Sequence, residues 1–161
     1  MQKFKHEDAK KAQKVKFNFW ILPTIAIMLL IFIHSAMPAD LSTVESSRLA
    51  EWAACILHIG IDPATILVRK TAHFTEYFVL GLFLSLFWKR TEIIRNRIFF
   101  RGFLSWLIGT VYAVSDEVHQ YFVPGRSCEV RDICIDSAGV LVGALIVFLI
   151  RRSASSDAVG K

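Results

Sequence analysis

Ionisable and polar residues gather in three short stretches of this chain. Arg69, Lys70, His73 and Glu76 make the first, Asp116, Glu117, His119 and Gln120 the second, and Arg126, Arg131, Asp132 and Asp136 the third. On a helix Arg69, His73 and Glu76 stand at i, i+4 and i+7 and share one stripe. Imidazole beside carboxylates can move protons, which makes His73, Glu76, Asp116 and Asp136 candidate catalytic groups. The same donor types suit a divalent metal. Arg69, Lys70, Arg126 and Arg131 suit an anion, because Arg meets phosphate or carboxylate through two hydrogen bonds. The candidate ligand-binding set is Arg69, Lys70, His73, Glu76, Asp116, Glu117, Gln120, Arg126, Asp132 and Asp136. No nucleophile-plus-base motif and no recognised metal signature accompanies them, so neither a metal nor a cofactor is assigned.

Four apolar stretches must position these groups, at about 17–36, 68–88, 99–118 and 133–150. Each approaches the roughly 20 residues that cross a bilayer. A soluble four-helix bundle would show one apolar stripe per helix with a polar opposite face. The first and fourth stretches are apolar all round, and the chain is 54% hydrophobic. Disorder and collagen-like structure are excluded by that content and by only 8 Gly and 4 Pro. The expected fold is all-α: a polytopic membrane protein of four transmembrane helices, with an extracytoplasmic amphipathic helix between the first and second. The transmembrane domain takes residues 17–151, between a basic tail at 1–16 and a second tail at 152–161.

Of the nineteen Lys and Arg, fourteen fall in the two tails and around the connection between the second and third spans. This division sets both termini in the cytoplasm. It accounts for the net charge of +5 without nucleic acid. The first span resembles a signal peptide in its basic flank, but its apolar run is long and His34 and Met37 suit cleavage poorly, so it reads as a retained helix. In the long outer connection Ser42-Thr43-Val44-Glu45 has capping-box spacing. Val44, Leu49, Trp52, Cys55, Ile56 and Ile59 then recur at helical spacing, as for a surface helix or a lid over the bundle. Asp62-Pro63 suits the N-cap and first turn of the next helix.

Depth can be counted from the cytoplasmic end of each span. Asp116 lies 15 residues from Arg101, and Asp136 lies 15 residues from Arg151. Both come out about 22 Å up a core of about 30 Å, with His73 at about 22 Å and Glu76 at about 18 Å. Three helices thus bring acids to one level in the outer third. Gly139 and Gly143 form a GxxxG pair on the face of Asp136, and Gly109 and Ala113 lie on the side of Asp116 and Gln120. The charged groups therefore point into the bundle, where an ionisable residue marks a functional site by default. The rival reading is a structural ion-pair network that holds short helices in register. Tyr121-Phe122-Val123-Pro124-Gly125-Arg126 reads as a Pro-Gly turn that hangs Arg126 over the carboxylates.

Several residues read more blandly. Trp20, Trp88 and Trp106 suit interfacial anchors. His119 reads as solvent-facing, His58 as interfacial, and His34 and Ser35 as capping or packing groups. Cys55, Cys128 and Cys134 all fall on the outer side, where Cys128 and Cys134 could pair or stay as free thiols.

At these residues the chain resembles the VanZ-like family of small bacterial membrane proteins. The resemblance rests on Ser35-Ala36-Met37-Pro38-Ala39-Asp40, on Arg69-Lys70-Thr71-Ala72-His73-Phe74-Thr75-Glu76-Tyr77, and on Ser115 to Arg126, followed by Asp132 and Asp136. At position 136 many relatives in that family have Asn where this chain has Asp, a minor departure from the resemblance. The resemblance implies an integral membrane protein of a bacterial, Gram-positive, cell envelope and a link to low-level teicoplanin resistance. A binding site in the outer leaflet then has two natural occupants, a lipid-linked cell-wall precursor or an acylated glycopeptide antibiotic with its tail in the bilayer. The alternatives are an enzyme acting on a lipid head group by carboxylate and His chemistry, and an ion-coupled carrier. The cytoplasmic halves of the spans are nearly free of polar side chains, which argues against a carrier path through one chain.

Overall fold

The computed structural model describes residues 18–91, 94 and 97–159, with backbone alone at 45 and 151–159. The basic tail at 1–16 lies outside the described residues. These residues form five α-helices and no strand. They are α1 (Ile21–Ser35), α2 (Ala39–Leu57), α3 (Ile61–Arg90), α4 (Ile98–Gln120) and α5 (Val130–Val159).

Two helices, α4 and α5 through Ile150, are long and apolar enough to cross a membrane. The pair formed by Ser46–Leu57 and α3 passes the same test only together and bends by 114°. The bend has a local cause. His58 adopts the left-handed conformation at φ 55° as the C-cap of α2, and extended Gly60 then starts α3. The first span is shorter than the 17–36 expected. It has 15 helical residues, or about 22 Å at the standard rise. Pro23 falls in its first turn, where the missing N–H is tolerated.

Small residues let the central helices touch. A Cβ added at Gly139 would lie 2.6 Å from the Phe74 carbonyl oxygen, and one at Gly143 would overlap that of Phe78. The GxxxG face thus packs on the backbone of α3, as its spacing predicts. Gly109 of α4 opens a slot for the Val140 side chain. Ile27, Ile31, Tyr77, Leu80, Leu84, Ala113 and Val140 form the buried core between α1, α3, α4 and α5. Outside it, Leu22, Leu29, Ile33, Phe103, Val111, Leu145 and Leu149 all point outward and are 47–61% exposed. An apolar exterior over an apolar core suits lipid, since a soluble bundle would carry polar side chains there.

Interhelical polar bonds fix the register. Asn18 Nδ2 donates to Phe87 O at 2.7 Å, pinning the start of α1 to the end of α3. Tyr112 Oη donates to Met28 O at 2.6 Å. Trp106 Nε1 donates to Ser137 Oγ at 2.9 Å, which Thr110 Oγ1 also meets at 2.7 Å. Trp106 is therefore an interhelical donor and not merely an interfacial anchor.

The outer connection forms the expected helix, α2, but with a different start. α2 begins at Ala39 behind Pro38, so Ser42 lies inside the helix, where its carbonyl accepts from Ser46 Oγ at 2.8 Å. A proline with extended ψ already stops the chain from being helical one turn earlier, and no capping box is needed. Moreover, Leu41, Val44, Leu49, Trp52 and Ile56 are 58–72% exposed, while Ala50 is buried. Most of the apolar row of α2 faces away from the bundle, with Leu49 reaching the rim of the cavity beneath, and its small face lies inward. At α3 the N-cap is Gly60, with Asp62 and Pro63 in the first turn.

Candidate functional site

Three elements bring the polar residues together at the end of the bundle opposite Asn18. The middle of α3 supplies Arg69, Lys70, His73 and Glu76. The last turns of α4 supply Asp116, Glu117 and Gln120, and the first turns of α5 supply Asp132 and Asp136. The turn at Val123–Arg126 closes over them. Gly125 has φ +73°, a conformation open to glycine, and Pro124 O accepts from Ala39 N at 3.2 Å. This contact docks the turn on the start of α2.

The core of the site is dense. One donor atom from each of His73, Asp116 and Asp136 lies within 4.8 Å of the others. The depth matching made from the sequence therefore corresponds to a real meeting of three side chains. Asp116 and Asp136 are only 3% and 2% exposed. Asp116 Oδ2 accepts from Ser35 Oγ at 2.7 Å and from Gln120 Nε2 at 3.1 Å, and Gln120 Nε2 also donates to Ser35 Oγ at 3.1 Å. Its other oxygen, Oδ1, is buried without a hydrogen-bond partner, as is His73 Nδ1.

The cations are held unequally. Lys70 pairs with Asp132 and lies 3.9 Å from Glu129, while Arg131 Nη2 meets Glu129 Oε2 at 2.7 Å. The Arg131 guanidinium holds the Glu129 carboxyl below its ordinary value. Glu117 Oε2 accepts the Glu129 backbone N–H at 2.9 Å and so anchors the entry to α5. Arg126 does not rest on the carboxylates as its place in the turn suggested. It donates through Nε to Met37 O at 3.2 Å, through Nη2 to His34 O at 3.1 Å and through Nη1 to Gln120 Oε1 at 3.5 Å. The reason is that α1 ends there, and its last carbonyls need donors. Among the described residues Arg69 alone of these four cations has no hydrogen-bond or ion-pair partner.

Two adjoining cavities share Arg69, His73 and Arg126 as a common wall. One, of about 190 Å³, is ringed by charged residues that include Lys70, Glu117, Arg131, Asp132 and Asp136. The other, of about 210 Å³, is mostly apolar and runs beneath α2 past Leu49, Val68 and Ala72, with Ser42, Ser46, His34 and Glu76 at its edge.

Three site residues escaped the sequence reading in part. His34 pairs with Glu76, Ser35 bonds Asp116, and His119 stacks on Phe32 with centroids 4.6 Å apart. His119 is thus not simply solvent-facing. For His34 and Ser35 the missed signal was depth, because the outer end of α1 reaches the same level as Glu76 and Asp116. The three cysteines are free and exposed, so Cys128 and Cys134 do not pair.

Fold and site together define a helical membrane protein whose charged centre is enclosed near one end of an otherwise apolar bundle. The family model described as VanZ/LLP1 matches residues 19–151, most of the chain. The chain belongs to this VanZ-like family. No curated relative and no solved structure matches it.

Proposed function

We propose that this protein is a receptor for an anionic amphiphile in the outer leaflet of a bacterial cell membrane. The ligand class is a lipid-linked cell-wall precursor or an acylated glycopeptide antibiotic, and the consequence is altered sensitivity to teicoplanin-type lipoglycopeptides. The observation that carries this reading is Arg69, a half-buried guanidinium without a protein partner, standing between a charged cavity and an apolar one. A phosphate or carboxylate head fits the charged side, and its acyl chain fits the groove under α2.

The reading includes a topology of four spans with both termini cytoplasmic. α1 runs from the level of Phe87 to the level of Glu76 on α3, so it shares the depth of the bundle despite its length. The cytoplasmic end is then the one flanked by Lys89, Arg90, Arg97 and Arg101. The polar site falls at the outer end.

The test is expression of the wild type and of Arg69→Gln in a susceptible Gram-positive host. The wild type should raise the inhibitory concentration of teicoplanin more than that of vancomycin, which lacks the acyl chain. Arg69→Gln should lose the increase at unchanged protein level. An unaltered phenotype in the variant rejects the role of Arg69. Purified protein should also bind an undecaprenyl phosphate or lipid-linked precursor in detergent, and Arg69→Gln should not.

A further inference from the structure

We infer that His73, Asp116 and Asp136 form a binding site for one divalent transition cation, of the Zn²⁺ or Mn²⁺ class. The inference concerns the floor of the ligand site proposed above, but its evidence and its test need no amphiphile.

The geometry is the first support. One imidazole and two carboxylates, carried by three different helices, place donor atoms within 4.8 Å of one another. Ligands about 2.1 Å from a metal stand about 3–4 Å apart, so small side-chain adjustments close the set. The second support is independent of clustering. Asp116 Oδ1 and His73 Nδ1 are both buried without a close hydrogen-bond partner, the neighbour of the Asp116 carboxylate being the equally buried Tyr77 hydroxyl, and Asp116 is 97% buried. Buried polar atoms left in this way are costly, and a cation satisfies them. The other oxygen of Asp116 is already held by Ser35 and Gln120, the outer-shell arrangement that orients a metal-binding carboxylate.

Two of the three donors, His73 and Asp136, line the 190 Å³ cavity, which provides the entry path and leaves open coordination positions facing it. A mixed nitrogen and oxygen donor set favours Zn²⁺ or Mn²⁺ over Ca²⁺. An ion there would present its open positions to the same anionic head that Arg69 contacts.

The experiment uses the full chain in detergent, with its affinity tag removed, its exposed thiols alkylated and its metals stripped by chelator. Titration calorimetry and elemental analysis with Zn²⁺, Mn²⁺ and Mg²⁺ should find one equivalent of Zn²⁺ or Mn²⁺ per chain. His73→Gln and Asp136→Asn should weaken that binding at least ~10-fold, while Glu51→Gln, on the exposed side of α2 and outside both cavities, should leave it unchanged. Thermal unfolding with and without the ion gives a second readout, since a site formed only in the fold raises Tm of the wild type and not of His73→Gln. Absence of stoichiometric binding by the wild type overturns the inference, as does wild-type affinity in both donor variants. Arg69→Gln should keep the metal. Metal bound without an Arg69-dependent phenotype rejects only the amphiphile reading, and the converse rejects only the metal.

Discussion

Arg69 and Arg126 have the same side chain and sit on the same cavity wall, yet they have opposite roles. Arg126 spends its guanidinium on the carbonyls of His34 and Met37, at the end of α1, where backbone N–H groups of the cap already share the His34 carbonyl. Arg126→Gln should therefore destabilise the fold by about 2–3 kcal/mol, the loss of hydrogen bonds to a charged donor. Arg126→Lys should recover little, because an ammonium cannot reach two carbonyls in a fixed fork. Thermal unfolding in detergent checks both. Arg69→Gln should leave Tm nearly unchanged, since no protein group loses a partner. Nothing in the residue types separates these two arginines. The difference arises because the turn at Gly125 delivers Arg126 to the end of α1, a contact 92 residues apart in the chain.

Helix contact in this protein depends on the absence of side chains at chosen places. Gly139 and Gly143 lie against the backbone of α3, where any Cβ meets a carbonyl oxygen. Gly143→Val should force α3 and α5 apart and cost about 3 kcal/mol or more, with loss of the polar site they position. Gly102 of α4 has open space around its Cβ position, so Gly102→Ala should be neutral or stabilise by up to about 1 kcal/mol. Comparing the two by thermal unfolding separates packing from helix propensity. The GxxxG spacing made the α3–α5 contact legible in the sequence, and the apolar runs located both ends of α4, the end of α3 and the start of α5 to within a few residues, while α3 starts seven residues earlier and α5 runs nine residues further than its run. The outward apolar row of α2 was not legible. A helical period says which residues share a face, but not whether that face meets protein or lipid.

At the scale of the molecule, the charge distribution and the exposed thiols bear on the same question. Cys128 lies in the turn between α4 and α5, on the side of the polar site. In a variant keeping only Cys128, a membrane-impermeant maleimide should label intact cells. Labelling only after the cells are opened would reverse the proposed orientation. Cys55 lies on α2, among apolar residues that face outward. In the matching single-cysteine variant its reaction should be slower than that of Cys128 if this face lies in lipid, and equally fast if it meets water. The bend of 114° between α2 and α3 makes α2 a cover over the apolar cavity and not a continuation of α3.

The sequence by itself determined the membrane class, the level at which His73, Glu76, Asp116 and Asp136 lie, and the helix faces that carry them. Those properties follow from hydropathy, a fixed rise per residue and a fixed helical period, all of which are local. The partners were decided only in the tertiary structure. Lys70 takes Asp132, Glu76 takes His34, Ser35 and Gln120 share one oxygen of Asp116, and Arg69 is left open to a ligand. Partner choice depends on how far each helix is turned about its own axis and where each one ends. Both are set by packing between helices, through the glycine contacts and the docked turn, and are invisible to spacing along the chain.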